Sequence, residues 1–342
     1  MAQAKINHCK IAGVVSCVPQ TKIENTDLGE QFSMIEIRKI TAMAGIQSRH
    51  VSNGQQTSVD FCLHAARDLV KGLQWDPASI DAIIMVTQTP DYHLPSSSCL
   101  IHKELGLSTN CAAFDVGLGC SGYPYGLWLS HLMIQGGMNR VLVLHGETPS
   151  LFTSPDDRAT VLLFGDAGSA TAIARDPNAE NPAYFSLHSD GQGYTDLIIP
   201  AGGFRQRFSD QLRDYYVSMN GTNLFNFTIL RLPPLIHDLS VMSQESIANI
   251  DAFIFHQSNR FIMKHIMKKA GLEEIKVPLT LEEFGNTGGP SVPLTLVQHA
   301  LKNETFRAKT SRVSLLGYGV GLSWSGALVS MHTDTYYNHL EL

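Results

Sequence analysis

Three polar residues of this chain stand where chemistry could be done. Cys120 follows a short apolar run in Phe114-Asp115-Val116-Gly117-Leu118-Gly119-Cys120-Ser121-Gly122 and precedes a helical pattern. His256 ends another apolar run, Ala252-Phe253-Ile254-Phe255-His256. Asn286 lies in the glycine-rich stretch Phe284-Gly285-Asn286-Thr287-Gly288-Gly289-Pro290-Ser291. A thiol at a strand-to-helix junction meets the positive end of the helix dipole and unpaired backbone N–H groups, so a reactive thiolate is expected at Cys120. The same N–H groups suit an oxyanion. The chemistry implied is covalent acyl transfer. Each residue also has a plainer reading: a buried cysteine, a satisfied core histidine, and an asparagine serving a left-handed turn.

The rest of the composition limits the alternatives. The chain has 342 residues, 44% hydrophobic and 16% charged, with 28 glycines and a net charge of −6. That balance suits a well-buried α/β protein and argues against nonspecific nucleic-acid binding. The six cysteines, Cys9, Cys17, Cys62, Cys99, Cys111 and Cys120, form no CxxC pair and no zinc-finger spacing with histidine, so no metal is expected. The five other than Cys120 are expected to be small buried hydrophobes. The N-terminus lacks the apolar core of a signal peptide, and no apolar stretch is long enough to span a membrane. A cytoplasmic setting with free thiols is the expectation.

The elements that must position these residues read as one unit written twice. Ile80-Asp81-Ala82-Ile83-Ile84-Met85-Val86 resembles Ile250-Asp251-Ala252-Phe253-Ile254-Phe255-His256 at an offset of 170 residues. Arg140-Val141-Leu142-Val143-Leu144-His145-Gly146 resembles Arg312-Val313-Ser314-Leu315-Leu316-Gly317-Tyr318 at an offset of 172. Half the chain length is 171. Apolar runs at 82–87, 112–116, 140–145, 168–174, 252–256 and 312–317 predict buried strands. Helices are expected over 58–73, 121–136 and 294–301, the second buried on all sides. Strand–helix alternation predicts an α/β fold with largely parallel pairing. The halves are expected at 1–175, carrying the cysteine, and 176–342, carrying the histidine and asparagine. The charged and aromatic segment 204–216 reads as a surface excursion.

The combined pattern resembles the ketoacyl-acyl-carrier-protein synthase III family, the Cys-His-Asn branch of the thiolase superfamily. The likeness covers most of the chain. It includes Gly45-Ile46-Gln47-Ser48-Arg49-His50, Asp157-Arg158-Ala159-Thr160, Phe164-Gly165-Asp166-Ala167-Gly168-Ser169-Ala170 and Gly317-Tyr318-Gly319-Val320-Gly321-Leu322-Ser323-Trp324, in order. The resemblance implies a five-layer α/β/α/β/α sandwich of two duplicated halves. It implies that Cys120 takes an acyl group from acyl-coenzyme A or an acyl-carrier thioester. Decarboxylative Claisen condensation with malonyl-acyl carrier protein comes next, with His256 and Asn286 donating to the enolate oxygen. The backbone N–H groups of Cys120 and Val320 are the implied oxyanion hole. No cofactor is implied, and a homodimer is.

The resemblance also marks substrate positions and departures. Arg158 stands where the family binds coenzyme A, although a surface ion pair would explain it equally. Thr222 and Asn259 match positions lining the pantetheine tunnel, and Leu94 matches one that reaches across a dimer to close the acyl pocket. Lys39 and Met43 replace a tryptophan and an arginine that clasp coenzyme A, and Val320 replaces a common glycine. Lys268 and Lys269 fit a carrier-docking helix, with Arg260 shifted by one place. Glu147 offers a further base or a solvated loop carboxylate. The altered clasp leaves open a second reading, in which the same fold passes the acyl group to an oxygen or nitrogen nucleophile.

Overall fold

The computed structural model describes residues 2–342. Among them, eleven strands form two main sheets. In the first, Tyr336–Glu341, Cys9–Val18, Ala167–Arg175, Arg140–Glu147, Ala82–Val86 and Ala112–Val116 lie side by side in that order. The second has the order Ala2–Ile6, Ala183–Ser189, Ser323–Met331, Ser311–Gly319 and Ala252–Phe255. Two helices, Gly122–Gln135 and Ser291–Lys302, lie between the sheets and touch both. Helices Ser58–Gly72 and Ser97–Glu104 cover the outer face of the first sheet, and Gly221–Ser243 and Arg260–Ala270 that of the second. The result is an α/β/α/β/α sandwich.

Burial explains the sequence pattern of the layers. An outer helix has one wet face, and Ser58–Gly72 keeps Phe61, Leu69 and Ala65 inward while Arg67, Lys71 and Gly72 do not join the core. The Gly122–Gln135 helix has sheets on both sides and loses the polar face. It also approaches its strand closely: a Cβ on Gly122 would lie 2.5 Å from Val86 Cγ1. The Tyr123 hydroxyl, fully buried in this layer, meets the Thr171 hydroxyl at 2.9 Å.

Two expectations need correction. Pairing is mixed rather than largely parallel. Helical crossovers give parallel pairs where Ala82–Val86 adjoins Arg140–Glu147 and Ala112–Val116, and where Ala252–Phe255 adjoins Ser311–Gly319. Ser311–Gly319 and Ser323–Met331, however, are joined by three residues and can pair only antiparallel. Arg140–Glu147 pairs antiparallel with Ala167–Arg175 as well. The cysteines are less uniformly buried than expected. Cys17, Cys62 and Cys111 are buried, Cys9 is half-buried, and Cys99 is exposed on an outer helix. None of the six is in a disulfide.

The chain passes from one sheet to the other across 176–182, between Ala167–Arg175 and Ala183–Ser189. The terminal strands cross over: Ala2–Ile6 is an edge of the second sheet, and Tyr336–Glu341 is an edge of the first. Segment 204–216 lies on the surface, with Phe204 80% and Phe208 79% exposed. No helix among the described residues is long and apolar enough to cross a membrane.

Candidate active site

The first sheet delivers Cys120 and the second delivers His256. Strand Ala112–Val116 runs into a loop ending at Cys120, two residues before the first residue of the central helix. The Gly122 N–H donates to the Gly119 carbonyl at 2.7 Å and tightens that loop around the thiol. His256 follows strand Ala252–Phe255, and its N–H extends the sheet by donating to the Leu316 carbonyl at 2.7 Å. Asn286 is pinned by its backbone: its N–H donates to Leu163 at 2.8 Å, and its carbonyl accepts from Gly165 at 3.1 Å. All three side chains line one cavity of about 120 Å³, bounded also by Leu224, Thr228, Asn259 and Gly319. Cys120 further lines a second cavity of about 400 Å³ with Glu147, Phe152, Phe164, Ile198, Val217 and Val320. The thiol therefore stands between two chambers.

The hydrogen bonds fix the polarity of each group. His256 Nδ1 lies 3.0 Å from the Gly288 carbonyl and 2.9 Å from Ser291 Oγ. A carbonyl only accepts, so Nδ1 carries the proton. Burial pulls the ring down to about 4, only partly offset by the Gly288 bond. The resting imidazole is neutral, and its Nε2 is a lone pair. Asn286 Oδ1 accepts from the Gly288 N–H at 3.0 Å, which leaves its two Nδ2 hydrogens as donors. One loop thus orients both side chains, using the Gly288 carbonyl for one and its N–H for the other.

Cys120 departs from the expected thiolate. Burial pushes its thiol up to about 11. The Val320 N–H and its own N–H, both directed at sulfur, oppose that rise, while Glu147 adds to it. A junction with two N–H groups is therefore not sufficient to ionise this half-buried sulfur at the wall of two cavities; desolvation of the anion outweighs them. The resting sulfur holds its proton, and a base must take it. The backbone makes room for that sulfur: a Cβ on Gly319 (φ 153°) would lie 2.8 Å from Cys120 Cβ and 3.0 Å from Sγ.

The secondary positions are less uniform. Asn259 lines the smaller cavity, and its Oδ1 accepts from the Ile262 N–H at 2.8 Å to cap helix Arg260–Ala270. Thr222 does not line it. The helix Gly221–Ser243 turns Gly221, Leu224 and Thr228 inward, at helical spacing, and Thr222 faces solvent. Arg158 lines neither cavity and forms an ion pair with Glu36 on helix Met34–Ala44, the same helix that carries exposed Lys39 and Met43. Leu94 is 80% exposed and lines neither cavity of its own chain. Arg260 is held by Glu282 at 3.0 Å and the Gly45 carbonyl at 3.3 Å, and Lys269 by the Ile229 carbonyl at 3.1 Å. Val320 walls the larger cavity.

Glu147 is 3% exposed, so it is no solvated loop carboxylate. Sequence reasoning missed Ser291, Gly288 and the apolar walls of the larger cavity. Ser291 at the start of a helix after Gly-Gly-Pro carried a usable signal. The walls come from Pro149, Phe152, Phe164, Leu197, Ile198, Ile199 and Val217, which share no period or motif.

Comparison with known proteins places the geometry in context. A family model described as 3-oxoacyl-[acyl-carrier-protein] synthase III matches residues 114–191, and one described as the C-terminal part of that synthase matches 242–331. A putative 3-oxoacyl-[acyl-carrier-protein] synthase 3 of Campylobacter jejuni is 33% identical, with 99% of this chain and 98% of the relative covered. A beta-ketoacyl-[acyl-carrier-protein] synthase III of Neisseria meningitidis is 31% identical over 95% of this chain and 99% of its own. The crystal structure of a 3-oxoacyl-(acyl-carrier protein) synthase from Burkholderia xenovorans superposes with a TM-score of 0.95, at 36% identity and 99% coverage of both chains.

Proposed function

This chain belongs to the 3-oxoacyl-[acyl-carrier-protein] synthase III family, and from that membership we propose how its own residues run the reaction. In the first half-reaction Cys120 Sγ attacks an acyl thioester while His256 Nε2 takes the thiol proton. The oxyanion is held by the N–H groups of Cys120 and Val320. The intermediate collapses, the carrier thiolate leaves with the proton from His256, and the acyl group stays on sulfur.

In the second half-reaction a malonyl group on acyl carrier protein enters. Its carboxylate favours a proton on His256 Nε2, drawn from solvent. Carbon dioxide leaves, and negative charge moves to the thioester oxygen. Asn286 Nδ2 and the protonated Nε2 donate to that oxygen. The enolate carbon attacks the acyl-Cys120 carbonyl, a carbon–carbon bond forms, and the released thiolate regains its proton from His256. The single observation that carries this reading is the shared cavity of Cys120, His256 and Asn286, with one loop binding His256 Nδ1 and Asn286 Oδ1 and so leaving Nε2 and Nδ2 for substrate.

Three further assignments complete the proposal. Thioester substrates enter past Asn259 and Thr228, and the acyl chain occupies the larger cavity. Lys268, on the helix that Asn259 caps, contributes to docking an acidic carrier protein. Two copies pair through the half-buried edge strand Ala112–Val116, which has a neighbour on one side only, and this would bring Leu94 of each copy toward the other. Six unpaired cysteines fit a cytoplasmic setting.

The test is direct. With an acyl thioester and malonyl-acyl carrier protein, the protein should release carbon dioxide and form the 3-oxoacyl product. Acyl transfer to an alcohol or amine without carbon dioxide release would overturn the condensation step.

A further inference from the structure

The larger cavity beside Cys120 has two unlike walls. Phe152, Phe164, Ile198 and Val217 give one apolar wall, and Gln88 and Glu147 give a polar one. Glu147 Oε1 accepts from the Gln88 N–H at 2.8 Å, and Oε2 accepts from the Thr89 hydroxyl at 3.1 Å. Burial raises its carboxyl to about 8, so near neutrality it holds a proton and can donate as well as accept. The Gln88 carboxamide makes no hydrogen bond to protein among the described residues.

This polar pair sits at the thiol end of the chamber. A Cβ on Gly119, the residue before Cys120, would lie 2.2 Å from Gln88 Oε1. A Cβ on Gly288, whose carbonyl holds His256, would lie 3.2 Å from Glu147 Cγ. Cys120 and Glu147 line this same chamber. A plain alkyl chain on Cys120 would strip water from these groups and return no hydrogen bond.

We propose that the larger cavity selects acyl groups bearing a hydroxyl near the thioester carbonyl, as in 3-hydroxyacyl thioesters, with Gln88 and Glu147 as the hydroxyl's partners. The apolar wall takes the remaining chain. The proposal rests on the acyl-transfer reading of Cys120 and names its substrate class.

The test compares single-turnover labelling of Cys120 by 3-hydroxyhexanoyl- and hexanoyl-coenzyme A, read by intact mass. The wild type should prefer the hydroxylated thioester by about fivefold, the worth of one good hydrogen bond. Gln88→Leu and Glu147→Leu should each erase or reverse that preference, whereas Glu147→Gln should retain part of it. Gln88 is exposed, so its substitution stays informative if Glu147→Leu folds poorly. A wild-type ratio of one or below, or a preference that Gln88→Leu leaves unchanged, overturns the proposal. Labelling without preference overturns it alone; absence of labelling by both thioesters overturns the acyl-transfer reading with it.

Discussion

The two halves build the same framework and place opposite chemistry at its ends. Strand Ala82–Val86 corresponds to Ala252–Phe255, and the aligned positions are Val86 and His256. Strand Arg140–Glu147 corresponds to Ser311–Gly319, and the aligned positions are Glu147 and Gly319. In the first half, Val86 packs under Gly122 and Glu147 closes one side of the acyl cavity. In the second, His256 enters the cavity and Gly319 vacates space for the sulfur. A duplicated scaffold supplies equivalent places. The chemistry comes from breaking the equivalence at a few of them.

The largest effect should come from removing the group that one half supplies alone. Cys120→Ala should lower product formation by about 10³-fold or more and abolish acyl labelling seen by intact mass. Asn286→Ala separates the two half-reactions: condensation should fall about 10²–10³-fold, the usual loss for one donor to a developing oxyanion, while Cys120 labelling persists. If labelling falls equally, Asn286 serves the thiol rather than the enolate.

The next experiment exchanges the paired strand ends. Gly319→Ala should slow Cys120 labelling by about tenfold or more. A Cβ at 3.0 Å from Sγ forces the sulfur or the strand to move. A change at the other aligned pair, Val86→His, should instead cost stability, by about 1–3 kcal/mol, because a ring overfills a fully buried site packed closely against Gly122 and Gly126, read by urea unfolding. Stability unaffected by Val86→His would mean that the first half could host a histidine as readily as the second.

The smallest effect is a pH slope. The Glu147 carboxyl is raised to about 8 in the folded protein from an ordinary 4.5. Between pH 6.5 and 8 the folded state therefore holds a proton that the unfolded chain has lost. Its stabilising contribution is complete below the unfolded value and disappears as pH rises through 8. Histidines lowered by burial, among them His145 and His256, add an opposite slope near 6.5, where the unfolded rings are still half protonated, but that slope is common to wild type and Glu147→Gln and cancels in their comparison. Wild-type stability should decline with pH here by at most about 1.4 kcal/mol per unit more than Glu147→Gln. Equal slopes would mean that Glu147 is ionised in the folded state.

Much of this was legible in the chain because strands and glycine-rich loops are local patterns. The apolar runs located six of the eleven main-sheet strands within two residues, although Ala112–Val116 is a half-buried edge rather than a buried strand; Cys9–Val18, Ala183–Ser189 and Ser323–Met331, where small and polar residues interrupt the apolar run, went unread. Cys120, His256 and Asn286 stood out by their immediate neighbours in the chain: a strand end for the first two, paired glycines for the third. Other features depended on contacts that local patterns do not carry. Antiparallel pairing of Arg140–Glu147 with Ala167–Arg175 reflects a route between strands, and the crossing of both terminal strands is invisible in either segment. Thr222 turned outward because helix phase placed Leu224 and Thr228 in the cavity.

The amino-acid sequence alone determined which residue types were available and that two similar units must stack, since strand burial and period are written residue by residue. Only the tertiary structure decided their states. Desolvation by residues from both sheets, far apart in the chain, keeps the Cys120 proton on sulfur despite the adjacent helix. Gly288, brought under both His256 and Asn286, decides which nitrogen is a base and which is a donor. Desolvation and hydrogen-bond direction belong to the assembled site, because each depends on atoms that the chain brings together only by folding.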